Sequence, residues 1–287
     1  MKILVTGSTG NLGSKIVENL LAKVSKEQIV VGVSNVASEK AIAYQAQGLD
    51  VRETNFDNLE GLKDAFTGID RLFIISTFGQ FEDIMRQHTN AIEAAKIAGV
   101  QQIVYPSVTK ADNSPHFLAP MHHAREMAIL ESGIPSVILR NNWYIENELQ
   151  TIQGVQAGMP WMTSAGEGKT GWVYRPDLAE AAANVLLGEG HEGKIYELSG
   201  ENLTQKQFVN TLEEVLGIEV PFMPIEEAQH IEVLKQAGLP EQYIPMITLS
   251  QKGTREGGLE VYSTDLEVLL GRPVTTLKQA LTHLLKS

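Results

Sequence analysis

Cysteine is absent from all 287 residues. Disulfides, thiolate nucleophiles and cysteine-ligated metals are therefore excluded. Long hydrophobic runs are absent too: nothing approaches the ~18 apolar residues that a membrane-spanning helix needs. The apolar Ile3–Val5 run meets a glycine too soon to be the core of a signal peptide. The resulting expectation is a cytoplasmic location without membrane insertion. Basic residues are in deficit, with 23 Lys and Arg against 35 Asp and Glu, for a net charge of −12. Binding to nucleic acid or to anionic membranes needs clustered cations and is not expected. An anionic cofactor stays open, because backbone amides and one or two basic side chains suffice to hold it. There is no His-Glu-x-x-His or other metal-ligand spacing, and no Gly-x-Ser-x-Gly elbow of a serine hydrolase. No metal is expected.

What is present begins with a glycine-punctuated turn. Lys2-Ile-Leu-Val-Thr6 reads as a strand, Gly7-Ser-Thr-Gly10-Asn-Leu-Gly13 as a turn, and Ser14–Leu21 as a helix. The strand aims the turn, Gly7 and Gly10 let backbone approach a diphosphate, and Gly13 lets the helix pack close to the sheet. Amides opening the helix would face the phosphates, with Thr9, Asn11 and Leu12 at or near them. The spacing differs from Gly-x-Gly-x-x-Gly, so the backbone bends differently over the pyrophosphate.

Apolar residues make up 43% of the chain, enough for a full core. Strand-like runs recur at Ile3–Thr6, Ile29–Val33, Val51–Glu53, Leu72–Ser76, Ile103–Ser107 and Val137–Arg140, with helix-like segments such as Leu59–Phe66 and Phe81–Ala98 between them. That alternation predicts an α/β fold with a Rossmann-type doubly wound parallel sheet. After about Gln150 the pattern changes to a loop-rich stretch with glycines at 154, 158, 166, 168 and 171. A helix is expected from Arg175-Pro-Asp177 to Leu187, a strand at Ile195–Leu198, and amphipathic helices at Lys206–Leu216 and Ile225–Ala237. We expect residues 1–150 plus about 172–202 to form the dinucleotide-binding domain. Residues 151–171 plus about 203–287 are expected to form a smaller, mainly helical C-terminal substrate lobe, with a cleft between the two.

Candidate site residues follow from this layout. The second strand ends in Val33-Ser34-Asn35, where NAD-specific sites place a carboxylate for the ribose. Its absence favours NADP, with NAD compatible; the nearest cation is Lys40. Asn55-Phe56-Asp57 would lie near the adenine or cap the following helix, and Phe56 is taken as a cofactor contact. Ser76, Thr77, Phe78 and Ser107, at strand ends, would face the ribose and nicotinamide, although small hydroxyls also form turns. Asn142, Trp143 and Tyr144 follow the sixth strand. Asn142 is assigned to the cofactor and the two rings to substrate, Tyr144 also offering a proton. Of the adjacent His122 and His123, which point apart on a helix and so share no metal, His122 is the proton-donor candidate. His191 and His230 are expected to face solvent.

These residues resemble the NmrA-like branch of the atypical short-chain dehydrogenase/reductase superfamily. The opening Ile3–Gly13 run carries the superfamily likeness. Arg140–Asn147, Ala165–Lys169, Arg175–Ala183, His191–Leu198 and Leu270–Pro273 carry the likeness to the branch. The resemblance implies a flavin-free reductase passing hydride from NADPH to a quinone or similar conjugated carbonyl, a small-molecule partner. Two departures accompany it. Ser34 stands where the family has an arginine near the 2′-phosphate. The Tyr-x-x-x-Lys pair of typical short-chain dehydrogenases is missing, His122 and Glu126 having that spacing instead. Proton donation would then fall to water, His122 or Tyr144. A non-catalytic, NAD(P)-binding redox-sensing regulator is the alternative, and a homo-oligomer is compatible with the sequence.

Overall fold

The structure, a computed structural model, describes residues 1–77 and 79–286. The elements begin β1 (Ile3–Val5), α1 (Gly13–Leu21), β2 (Ile29–Val33), α2 (Glu39–Ala46), β3 (Asp50–Glu53), α3 (Leu59–Phe66), β4 (Arg71–Phe73) and α4 (Phe81–Ala98). They continue with β5 (Gln102–Val108), α5 (Ala119–Glu131), β6 (Ser136–Asn141), α6 (Leu149–Gln156), β7 (Trp161–Thr163), β8 (Lys169–Gly171), α7 (Arg175–Leu187) and β9 (Ile195–Leu198). The remainder is β10 (Asn202–Thr204), α8 (Gln205–Leu216), β11 (Phe222–Pro224), α9 (Glu227–Gln236), α10 (Ile244–Arg255), α11 (Asp265–Leu270) and α12 (Leu277–Lys286).

Seven strands form one sheet in the order β3-β2-β1-β4-β5-β6-β9. The β3–β2, β2–β1, β1–β4 and β4–β5 pairings are parallel. Strand order reverses at β1, which has β2 on one side and β4 on the other. In a doubly wound sheet that switch point, at the carboxyl ends of the strands, is where ligands bind. Local sequence explains the elements. β1 and β2 are buried at every position, as strands covered on both faces must be. Leu62, Phe66, Ala91, Ile92 and Ile129 of α3, α4 and α5 pack with Leu4, Leu72 and Ile103 in one core. Each large side chain buried this way contributes about 1.5–3 kcal/mol. α4 ends at Gly99, whose φ of 76° is the left-handed conformation glycine adopts freely. β4 is shorter than the expected Leu72–Ser76. Thr6 Oγ1 donates to the Phe73 carbonyl at 3.0 Å beside the bond from the Thr6 amide, and it accepts from the Ile75 amide at 2.8 Å, which takes that amide out of the ladder.

The chain divides into two compact units. The first is 1–107, 121–140 and 176–196; the second is 108–120, 141–175 and 197–287. These bounds differ from the expected ones, because the segments after β5 and β6 bond within the second unit. Thr109 Oγ1 and the Lys110 amide donate to the Glu197 carboxylate, and Asn142 Nδ2 donates to Ser199 Oγ and the Leu259 carbonyl. The second unit has its own core around Trp161, Trp172, Phe208, Leu212 and Leu281. α8 opens with a reciprocal cap between Thr204 and Gln207. The glycine-bearing stretch expected to be loop holds the end of α6 and the short β7 and β8. β8 pairs antiparallel with β10, and β7 parallel with β11.

Two buried histidines make stability depend on pH. His88 lies edge-on to Tyr105, ring centroids 5.2 Å apart; burial, then the Arg125 charge, lowers its pKa to about 3. His116, in the second unit, is lowered by burial to about 4. Both values lie below the ordinary 6.5 of an exposed imidazole. As pH falls through that window, the unfolded chain takes up protons that the folded chain does not, so stability drops. The expected slope is up to about 1.4 kcal/mol per pH unit for each histidine. Urea midpoints compared at neutral and mildly acidic pH check this, and His116→Phe should flatten the curve.

Candidate functional site

The turn after β1 depends on glycine and leaves backbone amides open. Gly7 has φ 61°, and a Cβ there would lie 2.7 Å from the Ile75 side chain, so both conformation and space require glycine. The Gly10 amide bonds the Gly7 carbonyl at 2.9 Å, and the Ser8 amide ties the turn to the Gly32 carbonyl at 3.0 Å. A Cβ at Gly13 would meet the Gly7 carbonyl oxygen at 2.3 Å, so this glycine lets α1 press against the turn. Among the described residues the amides of Asn11, Leu12 and Gly13, at the head of α1, have no backbone acceptor. Unpaired amides at a helix N-terminus carry partial positive charge and attract phosphate.

α2 braces this turn. Tyr44 donates its hydroxyl proton to the Ser8 carbonyl at 3.0 Å, and Lys40 Nζ donates to the Thr9 carbonyl at 2.9 Å. Ser34, at the end of β2, is exposed. Lys40 is the only cation between residues 29 and 46. Phe56, expected at the cofactor, has its ring buried in the core with Leu62 and Phe66, and its carbonyl accepts from Asn90 Nδ2 at 3.0 Å. Phe78 lies outside the described residues.

At the ends of β4 and β5 the first unit gathers polar groups. Ser107 is buried, and its Oγ has no hydrogen-bond partner among the described residues. Ser76 Oγ donates to the Pro106 carbonyl at 3.1 Å and approaches the Tyr105 hydroxyl at 3.3 Å. That hydroxyl lies 3.0 Å from His122 Nδ1 and accepts from Arg125 Nη1 at 3.3 Å. Arg125 Nη2 also donates to the Thr77 carbonyl at 2.9 Å. Sequence reasoning missed Tyr105 and Arg125. One reads as a core strand residue and the other as a surface charge, and their partners are remote in sequence.

In the second unit the segment after β6 carries the expected aromatic pair. Burial raises the Tyr144 pKa, so the phenol stays neutral. Its oxygen accepts from Asn141 Nδ2 at 3.1 Å, and the Arg175 guanidinium lies 5.1 Å from its ring centroid. Trp143 Nε1 and Trp172 Nε1 both donate to Glu148 Oε1 at 3.1 Å. Burial raises the Glu148 pKa against these two bonds. Asn142, expected at the cofactor, spends its side chain on structure: Nδ2 goes to Ser199 and Leu259, and Oδ1 accepts from the Trp143 amide at 2.8 Å. His230, expected in solvent, is buried with Nδ1 3.0 Å from Ser164 Oγ. His191 is half-buried, its Nδ1 2.8 Å from the Tyr196 hydroxyl.

Strand order, switch point and turn together define a Rossmann-type protein of the dinucleotide-binding class. The chain belongs to the NmrA-like family, which it matches over residues 1–276. It is 38% identical over 283 residues to Quinone oxidoreductase 2 of Escherichia coli (strain K12), covering 98% of both chains. The crystal structure of an NADPH-dependent quinone oxidoreductase from Escherichia coli, complexed with NADPH, matches with a TM-score of 0.93 at 39% identity over 99% of both chains. The triphenylmethane reductase of Citrobacter sp., complexed with NADP(H), matches with a TM-score of 0.93 at 34% identity over 99% of both. Among the described residues no helix is long and apolar enough to cross a membrane.

Proposed function

We propose that this chain is a flavin-free, NADPH-dependent reductase that passes hydride to a quinone or a similarly flat, conjugated acceptor. The turn from Gly7 to Gly13 carries the reading, with its left-handed first glycine and the open amides of Asn11, Leu12 and Gly13. Those groups suit a diphosphate, and the unpartnered Ser107 Oγ suits a ribose or carboxamide oxygen. The bound nicotinamide would supply the hydride. Ser76, Thr77 and Ser107 are assigned to the cofactor, Trp143 and Tyr144 to the acceptor. Tyr144, kept neutral by burial, is able to donate a hydrogen bond to a carbonyl oxygen. Close relationship to a quinone reductase and to a triphenylmethane reductase supports a planar acceptor.

The test follows nucleotide oxidation by its near-ultraviolet absorbance, with NADPH or NADH and several benzoquinones. Protein-dependent oxidation is the expected result. Binding of nucleotide without oxidation of any acceptor would leave the redox-sensing regulator instead. With Ser34 in place of an arginine, Lys40 is the proposed partner of the 2′-phosphate. Lys40→Ala is expected to weaken NADPH binding about tenfold, near 1.4 kcal/mol, and to weaken NADH binding less, since NADH loses only the brace on the Thr9 carbonyl. Calorimetric titration with both nucleotides checks it.

A further inference from the structure

Tyr105 has no part in the function proposed above, yet it joins Ser76, assigned there to the cofactor, to His122, the proton-donor candidate of the sequence. It is fully buried in β5. Its hydroxyl oxygen receives Arg125 Nη1–H at 3.3 Å and lies 3.3 Å from Ser76 Oγ, whose one proton is shared with the Pro106 carbonyl; its own proton faces its shortest partner, His122 Nδ1, at 3.0 Å. All these groups belong to the first unit. The bonds of such a line invert together: an imidazolium at His122 donates to Tyr105, and Tyr105 donates to Ser76. His122 is half-buried at one end, Ser76 half-buried at the strand end at the other. Arg125 is 1% exposed. Its guanidinium stands beside the phenol oxygen, where it stabilises negative charge while a proton passes, and it pins the strand end through the Thr77 carbonyl.

We propose that His122, Tyr105 and Ser76 form a proton relay from solvent to the reduced acceptor. The proposal rests on the reductase reading. Reducing a quinone to a hydroquinone takes one hydride from the nicotinamide and one further proton. The hydride transfer leaves a hydroquinone anion, and the anion takes the Ser76 Oγ proton. Tyr105 then reprotonates Ser76, His122 reprotonates Tyr105, and water reprotonates His122. Two electrons and both protons are accounted for, and no other reactant enters.

The relay makes an acceptor-dependent defect. A cationic triarylmethane dye becomes a neutral product on taking hydride and needs no proton, whereas a quinone does. Tyr105→Phe keeps the aromatic ring packed against His88 and breaks the line. The expected result is a fall in kcat with benzoquinone of about tenfold or more. KM for NADPH and the rate with the dye should stay within about twofold, a split that general loss of structure would not produce. No fall with the quinone, or an equal fall with both acceptors, overturns the relay. Should the parent protein take no dye, His122→Ala decides: added imidazole is expected to restore quinone turnover, and failure to restore it overturns the relay. One readout needs no turnover. The ¹⁵N resonance of His122 Nδ1 in the cofactor-free protein is expected to move in Tyr105→Phe, and an unmoved resonance denies the bond. A parent protein that binds NADPH but reduces no quinone defeats the reductase reading, and the relay loses its task with it. A parent that turns over while Tyr105→Phe behaves identically defeats the relay alone.

Discussion

Gly10→Val is expected to yield a folded protein that no longer holds a dinucleotide. Gly10 is exposed, its φ is not in the left-handed region, and a Cβ there meets only the Gly7 carbonyl oxygen at 3.2 Å. The fold therefore tolerates a side chain with a shift of a few tenths of an ångström. The added isopropyl group would occupy the surface over which a diphosphate must lie to reach the Asn11, Leu12 and Gly13 amides. NADPH affinity is expected to fall about 100-fold, near 2.8 kcal/mol, with the urea midpoint close to the parent's. Gly13→Val gives the contrasting result. Its Cβ would lie 2.3 Å from the Gly7 carbonyl oxygen and 2.8 Å from the carbonyl carbon, so helix and turn must separate and folding itself suffers. Calorimetry and urea unfolding on the two variants distinguish a blocked cradle from a broken one. Unchanged NADPH affinity in folded Gly10→Val would remove the turn's assigned role.

The largest expected loss of stability belongs to Arg140→Met. Arg140 of β6 grips Glu126 of α5 as a fork, Nε to Oε1 at 3.0 Å and Nη2 to Oε2 at 2.8 Å. The Glu126 and Arg140 side chains are only 2% and 9% exposed. Taking one charge from a buried pair strands the other in a medium that solvates it poorly. The expected cost is about 3–5 kcal/mol by urea unfolding followed by far-ultraviolet circular dichroism. Replacing both partners, as Arg140→Met with Glu126→Leu, is expected to cost less than Arg140→Met alone, because the Glu126 charge is then no longer stranded. The same grip fixes α5, which carries His122 and Arg125. Arg140→Met should therefore also slow quinone reduction more than it weakens NADPH binding.

Local chemistry was readable where one segment decides its own structure. The Gly7–Gly13 turn, the Leu59–Phe66 and Phe81–Ala98 helices, and the helix opening at Arg175 all follow from glycines, caps and apolar spacing within a few residues. Placement decided by distant partners was not readable. The segment 108–120 lies beside strand β5 in sequence, yet His116 Nε2 lies 3.3 Å from Ser250 Oγ and Lys110 Nζ donates to the Gly257 carbonyl. His230 looked polar by its neighbours, but its environment comes from Ser164, 66 positions earlier. Asn142 read as a free amide at a site until its three partners were visible. Tyr105 shows the same limit most sharply, since Ser76, His122 and Arg125 converge on one atom only when the sheet is assembled.

All three tryptophans of the chain, at 143, 161 and 172, fall in the second unit. The rings of Trp161 and Trp172 lie 5.2 and 4.7 Å from Phe208 by centroid, and Trp143 and Trp172 share the Glu148 carboxylate. Indole emission therefore watches the second unit, while the first unit, which has no tryptophan, is optically silent at that wavelength. A denaturation curve recorded by indole fluorescence reports the second unit alone. Any offset between that curve and one recorded by backbone dichroism measures how tightly the two halves melt together.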